Sequence, residues 1–355
     1  MIKARTSNLW NAGSERPVQS FARDQLSLLA AVSQRRAIVR VWRARDEGLS
    51  LGRFHRRDEN QDCDAAGLVR RLTGGRIVPQ GPAVTCITMA FPEVAWLTPS
   101  GAALRPDQVL NRALRPVLAA LRANAAPGAG AGAAVDAFYP GRDLITVGGR
   151  PLAHASFTVA RDGALLVHVQ IADRGGFDEL PRLLRRFDPC GVAAADKNAF
   201  QRATSFLALT GSTLINAGWA SRLAGALASE LRCEVGSGEP CAGREVTLAQ
   251  DSAFSALQCE LGPLAAGSAC AIAPSMLGAV EVSARLVGDR LYDVQFTGDV
   301  IAPFHTIDAL SGALEGEPAR LPALRLVVAR VLSQPGDFVL GVRDLDALLA
   351  RLAAG

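Results

Sequence analysis

The residue types best suited to chemistry crowd into one stretch, LVRRLTGGRIVPQ, from Leu68 to Gln80. Arg70 and Arg71 present two adjacent guanidinium forks, which grip a carboxylate or phosphate bidentately. Gly74 and Gly75 let the backbone take positive φ and approach a ligand closely. Thr73 opens the turn, Arg76 follows it, and apolar residues lead in and out. Such a strand-turn-strand suits an acyl group, or an acyl-adenylate, lying along the backbone. The same residues also read as a hairpin turn with a solvated basic flank.

Other reactive side chains are few. His154 and His168 fall on adjacent predicted strands, where each reads either as a general base or as a structural histidine. Seven cysteines, scattered and odd in number, fit a reducing compartment better than a disulfide framework. No CxxC or His/Cys cluster has metal-ligand spacing, so no metal site is expected. The net charge of +4 comes almost wholly from arginine, since Lys3 and Lys197 are the only lysines. Aromatic residues do not interleave with the basic ones, which argues against nucleic-acid binding. No apolar run approaches the ~20 residues of a membrane span, and the first residues carry no apolar signal core. The expectation is a cytoplasmic protein with no membrane and no nucleic-acid partner.

Positioning these groups requires a sheet. AIVRVW (37–42) alternates and is β-branched, and GLSLGRF (48–54) reads as a second strand ending in a glycine-arginine turn. Trp42 reads as core and Arg53 as a surface cation. AVTCITMAF (83–91) is a buried-strand run, with Cys86 an inert packed thiol. Further strands are expected at 143–147, 151–160 and 164–171, joined by Gly-Gly and Asp-Gly turns. Helices are expected at 20–33, 58–66, 104–121 and 177–187, and a helical pattern runs from 200 to 233. A Gly/Ala-rich loop falls at 126–134. From Gly278 an alternating hairpin is followed by three helices ending at Leu352.

RRLTGGRIV resembles the arginine-arginine-x-Thr/Ser-Gly-Gly signature of the lipoate–protein ligase family, within the biotin/lipoate ligase superfamily. Other landmarks follow in the family's order over nearly the whole chain. VRVWRA…LSLGRF resembles the family's opening, where a Gly-Arg-Phe step, here Gly52-Arg53-Phe54, borders the acyl pocket. DAFYPGRDLITVGGRPLAHASF resembles the second motif, an aspartate followed by Gly-x-Lys-Ile-x-Gly; Asp143 fits the aspartate and Gly149 the glycine. FDPCGVAAADK resembles the cysteine loop of octanoyl–carrier-protein transferases, in which the cysteine, here Cys190, carries the acyl group as a thioester. Gly298, Asp299, Leu314 and Gly316 fit the small accessory domain of lipoate ligases, which the cysteine branch usually lacks.

The chain departs from that pattern where the chemistry is done. The family lysine falls on Pro151, the usual His-Asp after the glycine turn is Gln80-Gly81, and Asp162 stands where the family has histidine. An adenylate needs a cation against its phosphate, and electrostatic stabilisation of this kind is a large catalytic term. Arg76 or Arg150 would have to supply it, as a fork rather than a point charge. The thioester route would instead use Cys190, with a thiolate stabilised by Lys197 or the arginines of 182–186.

The expected fold is α+β: a central mixed, mostly antiparallel sheet flanked by helices, then a second small C-terminal α+β domain. Residues 1–200 are expected to form the ligase-like domain, 201–260 a helical connection and 261–355 the accessory-like domain. The resemblance implies transfer of a lipoyl or octanoyl group to a lysine of a lipoyl-acceptor protein, with ATP and Mg2+ if the enzyme is a ligase. Arg53, Arg70, Arg71, Thr73, Gly74, Gly75, Asp143 and Gly149 would bind the acyl-adenylate. The alternatives are an ATP-independent transferase through Cys190, fed by an acyl carrier protein, and a non-catalytic homologue that binds lipoate or the acceptor.

Overall fold

The computed structural model describes residues 5–55, 68–98, 100–124, 135–175, 177, 203–214, 218–238, 268–274, 276–340 and 345–354. In chain order the elements are β1 (Thr6–Glu15), α1 (Pro17–Gln34), β2 (Ala37–Ala44), β3 (Gly48–Leu51), β4 (Leu68–Arg70), β5 (Val78–Gln80) and β6 (Val84–Phe91). They continue with α2 (Pro106–Ala113), α3 (Arg115–Arg122), β7 (Ala137–Phe138), β8 (Leu144–Val147), β9 (Arg150–Val159), β10 (Leu165–Ala172), α4 (Phe206–Thr210), α5 (Trp219–Leu231) and β11 (Glu234–Ser237). The last group is β12 (Ser268–Pro274), β13 (Ala279–Val287), β14 (Arg290–Gly298), α6 (Phe304–Leu314), α7 (Leu321–Leu332) and α8 (Leu345–Ala353).

The architecture is α+β. Eight strands in the order β11-β1-β2-β6-β10-β9-β8-β7 make one mixed sheet. β1 runs parallel to both its neighbours, and the pairs from β2 through β7 are antiparallel. The period-2 alternation of these strands sorts side chains onto two faces. One face is apolar: Val39, Val41, Ile87, Met89, Val167, Val169, Ala155 and Phe157 pack there with α2, α3 and α5. The other face carries polar residues under α1, and the site lies on it. Because β11 is an edge strand of this sheet and α5 packs on its apolar face, the chain to Ser237 shares one core with the strands before it.

Two expectations are corrected. The helix expected over 104–121 is two helices meeting at Leu114, because Pro116 brings no backbone N–H and opens a new first turn in α3. The strands either side of the Thr-Gly-Gly turn are not a hairpin. β4 runs parallel to β3 and β5 antiparallel to it, so both pair with β3 in the order β4-β3-β5. The turn therefore wraps round the end of β3. Helices expected at 58–66 and over most of 177–187 lie outside the described residues.

The C-terminal part is a three-stranded antiparallel sheet, β12-β13-β14, backed by α6, α7 and α8 around its own apolar core. Phe54, which follows β3, is part of that core. The sequence pattern shows β13 and β14 but not β12, whose SACAIAP is short and built of small residues.

Candidate functional site

The polar face is organised in rungs, because strand register sets residues of four neighbouring strands side by side. Arg40, Thr88, His168 and Ser156 form one rung across β2, β6, β10 and β9. Trp42, Cys86, Gln170 and His154 form the next, and Leu144 of β8 extends it. All of these side chains are buried. Ion pairs and hydrogen bonds must therefore offset their desolvation.

In the first rung they do for every group but Arg40 Nε. His168 bonds Asp24 of α1 through Nε2 at 2.7 Å and Thr73 Oγ1 through Nδ1 at 2.9 Å. Asp24 accepts from Arg40 at 2.5 Å, and Arg40 also donates to Glu15 at 2.8 Å and to the Ser20 carbonyl at 2.6 Å. Ser156 Oγ lies 2.8 Å from Thr73 Oγ1. Burial alone would push the Asp24 carboxyl up, but His168 and Arg40 beside it hold it below the usual carboxylate range. α1 supplies this lid because Ser20, Asp24 and Ser27 share its buried side with Phe21 and Ala31.

Thr73 ties the central turn to that rung, and Arg71 shapes the turn from within. Its Nη2 donates to the carbonyls of Gly74 at 2.6 Å and Arg76 at 2.7 Å, its Nη1 to Ser50 O at 2.9 Å, and its Nε to Thr73 Oγ1 at 3.1 Å. Burial pulls the Arg71 guanidinium down to about 9, against the pull of Asp299 and Asp143, which leaves it protonated at neutral pH. Arg70 donates to the carbonyls of Arg53, at 2.8 Å, and His55. Gly75 has φ +83°, and a Cβ on Gly52 would stand 1.9 Å from the Gly75 carbonyl oxygen. The glycines serve close backbone approach.

A second polar group stands beside the turn. Asp143 receives Arg76 through two bonds, 2.5 and 3.0 Å, and lies 2.9 Å from His154 Nε2. Burial raises the Asp143 carboxyl, but Arg76 and His154 overcome it and hold it well below the carboxylate range. Burial pushes the His154 imidazole down to about 4, against the upward pull of Asp143, so the ring is neutral at pH 7. Burial likewise pushes the Cys86 thiol up, which makes it unreactive.

The structure thus brings Arg71, Thr73, Gly74, Gly75, Arg76 and Asp143 together, with Arg53 and Arg70 on the flank: Arg53 N donates to Thr73 O at 3.0 Å. Gly149 and Arg150 stand elsewhere, at the exposed end of the β8–β9 hairpin, where Arg150 donates to Ala203 O at 3.1 Å. Pro151 is buried at the start of β9. Cys190 and Lys197 lie outside the described residues. Among the described residues, no group of three or more His, Cys, Asp or Glu is arranged to hold a metal ion, and no helix is long and apolar enough to cross a membrane. Sequence reasoning missed Glu15, Asp24, Arg40, Ser156 and Gln170. The alternation in LAHAS and VHVQ held the signal for two of these, since it sets Ser156 with His154 and Gln170 with His168 on one face.

The C-terminal domain docks directly on the turn. Gly75 N donates to Val300 O at 2.6 Å, and Gly298 N to Phe54 O at 2.9 Å. His55 Nε2 lies 3.0 Å from Asp299 Oδ1. Phe338 stacks on Phe157 with ring centres 5.7 Å apart.

The fold has counterparts among solved structures. LipL1 of P. falciparum, solved in complex with lipoate, superposes at a TM-score of 0.60 over 90% of this chain and 93% of its own, with 12% identity. A bi-partite lipoate protein ligase of Thermoplasma acidophilum, described with its E2 lipoyl domain, superposes at 0.50 over 66% of this chain and 87% of its own, with 15% identity. The chain therefore has the lipoate-ligase-like fold. No family model matches it, and neither does any curated protein.

Proposed function

We propose that this protein attaches a lipoyl or octanoyl group to a lysine of a lipoyl-acceptor protein in the cytoplasm, as an ATP-dependent enzyme of the lipoate–protein ligase kind. In this reading the catalytic domain runs from residue 1 through β11, taking in the described part of the helical connection expected over 201–260, and 261–355 form the accessory domain. The carrying observation is the overlay on a lipoate-bound structure over 90% of the chain. It spans both the main sheet and the C-terminal domain, and the RRLTGG turn lies where the two meet. The acyl group would lie against Thr73–Gly75, with Arg71 holding the turn in shape and Asp143, fixed by Arg76 and His154, as the orienting contact. ATP would supply activation of the carboxylate. The described residues offer no Mg2+ ligand set, and none is assigned.

One observation favours a second reading, a homologue that binds lipoate or the acceptor without transfer. The guanidinium groups of Arg70 and Arg71 donate to backbone carbonyls, and Arg76 is bidentate on Asp143. Arg76 would have to serve a phosphate while holding Asp143. The test is exchange of labelled pyrophosphate into ATP, for the intact protein and for Cys190→Ser. Exchange that requires lipoate or octanoate and survives the substitution is the expected result. Absence of exchange with either acid, in a protein that still binds one of them, would move the assignment to the binding homologue or to the Cys190 route.

A further inference from the structure

A cavity of about 360 Å³ opens at the β7 edge of the main sheet, on the side away from the RRLTGG turn. Its volume is within the ~300–1,000 Å³ of small-molecule sites. Arg115, Leu118, Ala119 and Arg122 of α3 line it, spaced so that they share one side of the helix. Phe138 and Tyr139, at the end of β7, line it too, with Glu230 from the last turn of α5. Leu118 and Tyr139 belong to the core on the apolar face, whereas the acyl site lies on the polar face. Tyr139 is 8% exposed, yet its hydroxyl has no hydrogen-bond partner among the described residues. Buried polar groups are almost always paired, so this hydroxyl marks a place where something else bonds it. Burial, reinforced by the charges of Asp143 and Asp107, pushes the Tyr139 phenol up, so it keeps its proton and can donate. Arg122 is anchored through Nε, which donates to Ala137 O at 2.9 Å. Among the described residues, neither its Nη groups nor the Arg115 guanidinium has a partner, and no ion pair joins either arginine to Glu230. Phe138 is 57% exposed and leaves an aromatic ring open at the same cavity.

We infer that this cavity is a ligand site separate from the acyl site, and that it takes a small monocarboxylate carrying an aromatic ring. The lining defines the chemistry. Two arginines against one glutamate leave one net positive charge, which a single carboxylate balances. A guanidinium fork matches the planar carboxylate through paired N–H bonds. The Tyr139 O–H adds a third donor. Glu230 works against a dianion by like-charge repulsion. Leu118 and Ala119, lying between the two arginines in sequence, join the Phe138 ring to offer apolar surface on which a flat ring packs. The inference does not depend on the acyl-transfer reading.

The experiment is calorimetric titration of the full chain with phenylacetate, phenylacetamide and acetate, each with and without excess lipoate. Phenylacetate is expected to bind saturably, with an affinity that excess lipoate leaves unchanged. The amide lacks the charge and acetate lacks the ring, so each should bind about tenfold or more weakly. Arg115→Gln should weaken phenylacetate about tenfold and Tyr139→Phe about threefold. Arg115 is exposed, so its substitution leaves the fold intact and guards against a Tyr139 variant that fails to fold. No saturable binding, equal binding of the amide, or an affinity unchanged in Arg115→Gln would overturn the inference. Loss of phenylacetate binding under excess lipoate would place the acid in the acyl site, which overturns this inference and leaves the acyl-binding reading standing.

Discussion

Asp143 shows how a buried carboxylate can be held charged. It is fully buried, yet it stays ionised because Arg76 and His154 bond both its oxygens. Asp143→Asn would leave Arg76 buried opposite a neutral amide, at a cost of about 3–5 kcal/mol read from urea unfolding at pH 7. His154 makes a separate prediction from its lowered pKa of about 4. The unfolded chain binds a proton on this histidine below about 6.5, whereas the folded protein does not until about 4. Stability should therefore fall by roughly 3 kcal/mol as the pH drops from 6.5 to 4. His154→Gln should flatten that slope, and an unchanged slope would show that other groups set it. Asp143 works in a lower window: its contribution is intact above the ordinary carboxylate value and is lost only as the pH falls further. At this scale the sequence pointed to residues that the fold brings together, because RRLTGG and Asp143 are local patterns. The partners of those residues were hidden. Asp24 is 144 positions from His168, and no local pattern joins them.

At the scale of elements, the site depends on where α1 and the loop round β3 come to rest. α1 starts at Pro17, whose fixed φ suits a first helical turn, and ends with Arg35 in the left-handed region at φ 52°. That conformation costs a non-glycine residue about 1–2 kcal/mol. The Arg35–Glu93 ion pair is exposed at both ends and returns little. Arg35→Gly should therefore raise stability by about 0.5–1 kcal/mol net of glycine's larger unfolded-state entropy. A lower urea midpoint would show that Arg35 is held by more than its cap. Strands with a clear alternation, such as AIVRVW and LLVHVQIA, were legible in advance. β1 was not, because TSNLWNAGSE is polar and becomes a strand through parallel pairing on both sides, with a bulge between Asn11 and Gly13. Nor was the exchange of hairpin for loop, since which strand β4 and β5 choose is decided by β3 and Gly52.

Over the whole molecule, the C-terminal domain closes the turn it docks on. A Cβ on Gly74 would stand 2.1 Å from Val300 O, against backbone that cannot swing away as a side chain does. Gly74→Ala should break the Gly75–Val300 hydrogen bond and loosen the domain. Hydrogen exchange at the Gly75 amide should rise, and proteases should cut between the domains faster. Unchanged protection would mean that Phe54, in the C-terminal core, and the Phe157–Phe338 stack hold the domain without that contact. The most direct test of the whole account is the intact mass of a purified lipoyl-acceptor domain after incubation with this protein. One reaction holds lipoate, ATP and magnesium; the other holds octanoyl-carrier protein and no ATP. The account predicts a lipoyl increment on one acceptor lysine in the first reaction alone. An increment only in the second would place the chemistry on Cys190, and none in either, with an acceptor proven competent by a known ligase, would contradict the assignment of acyl transfer.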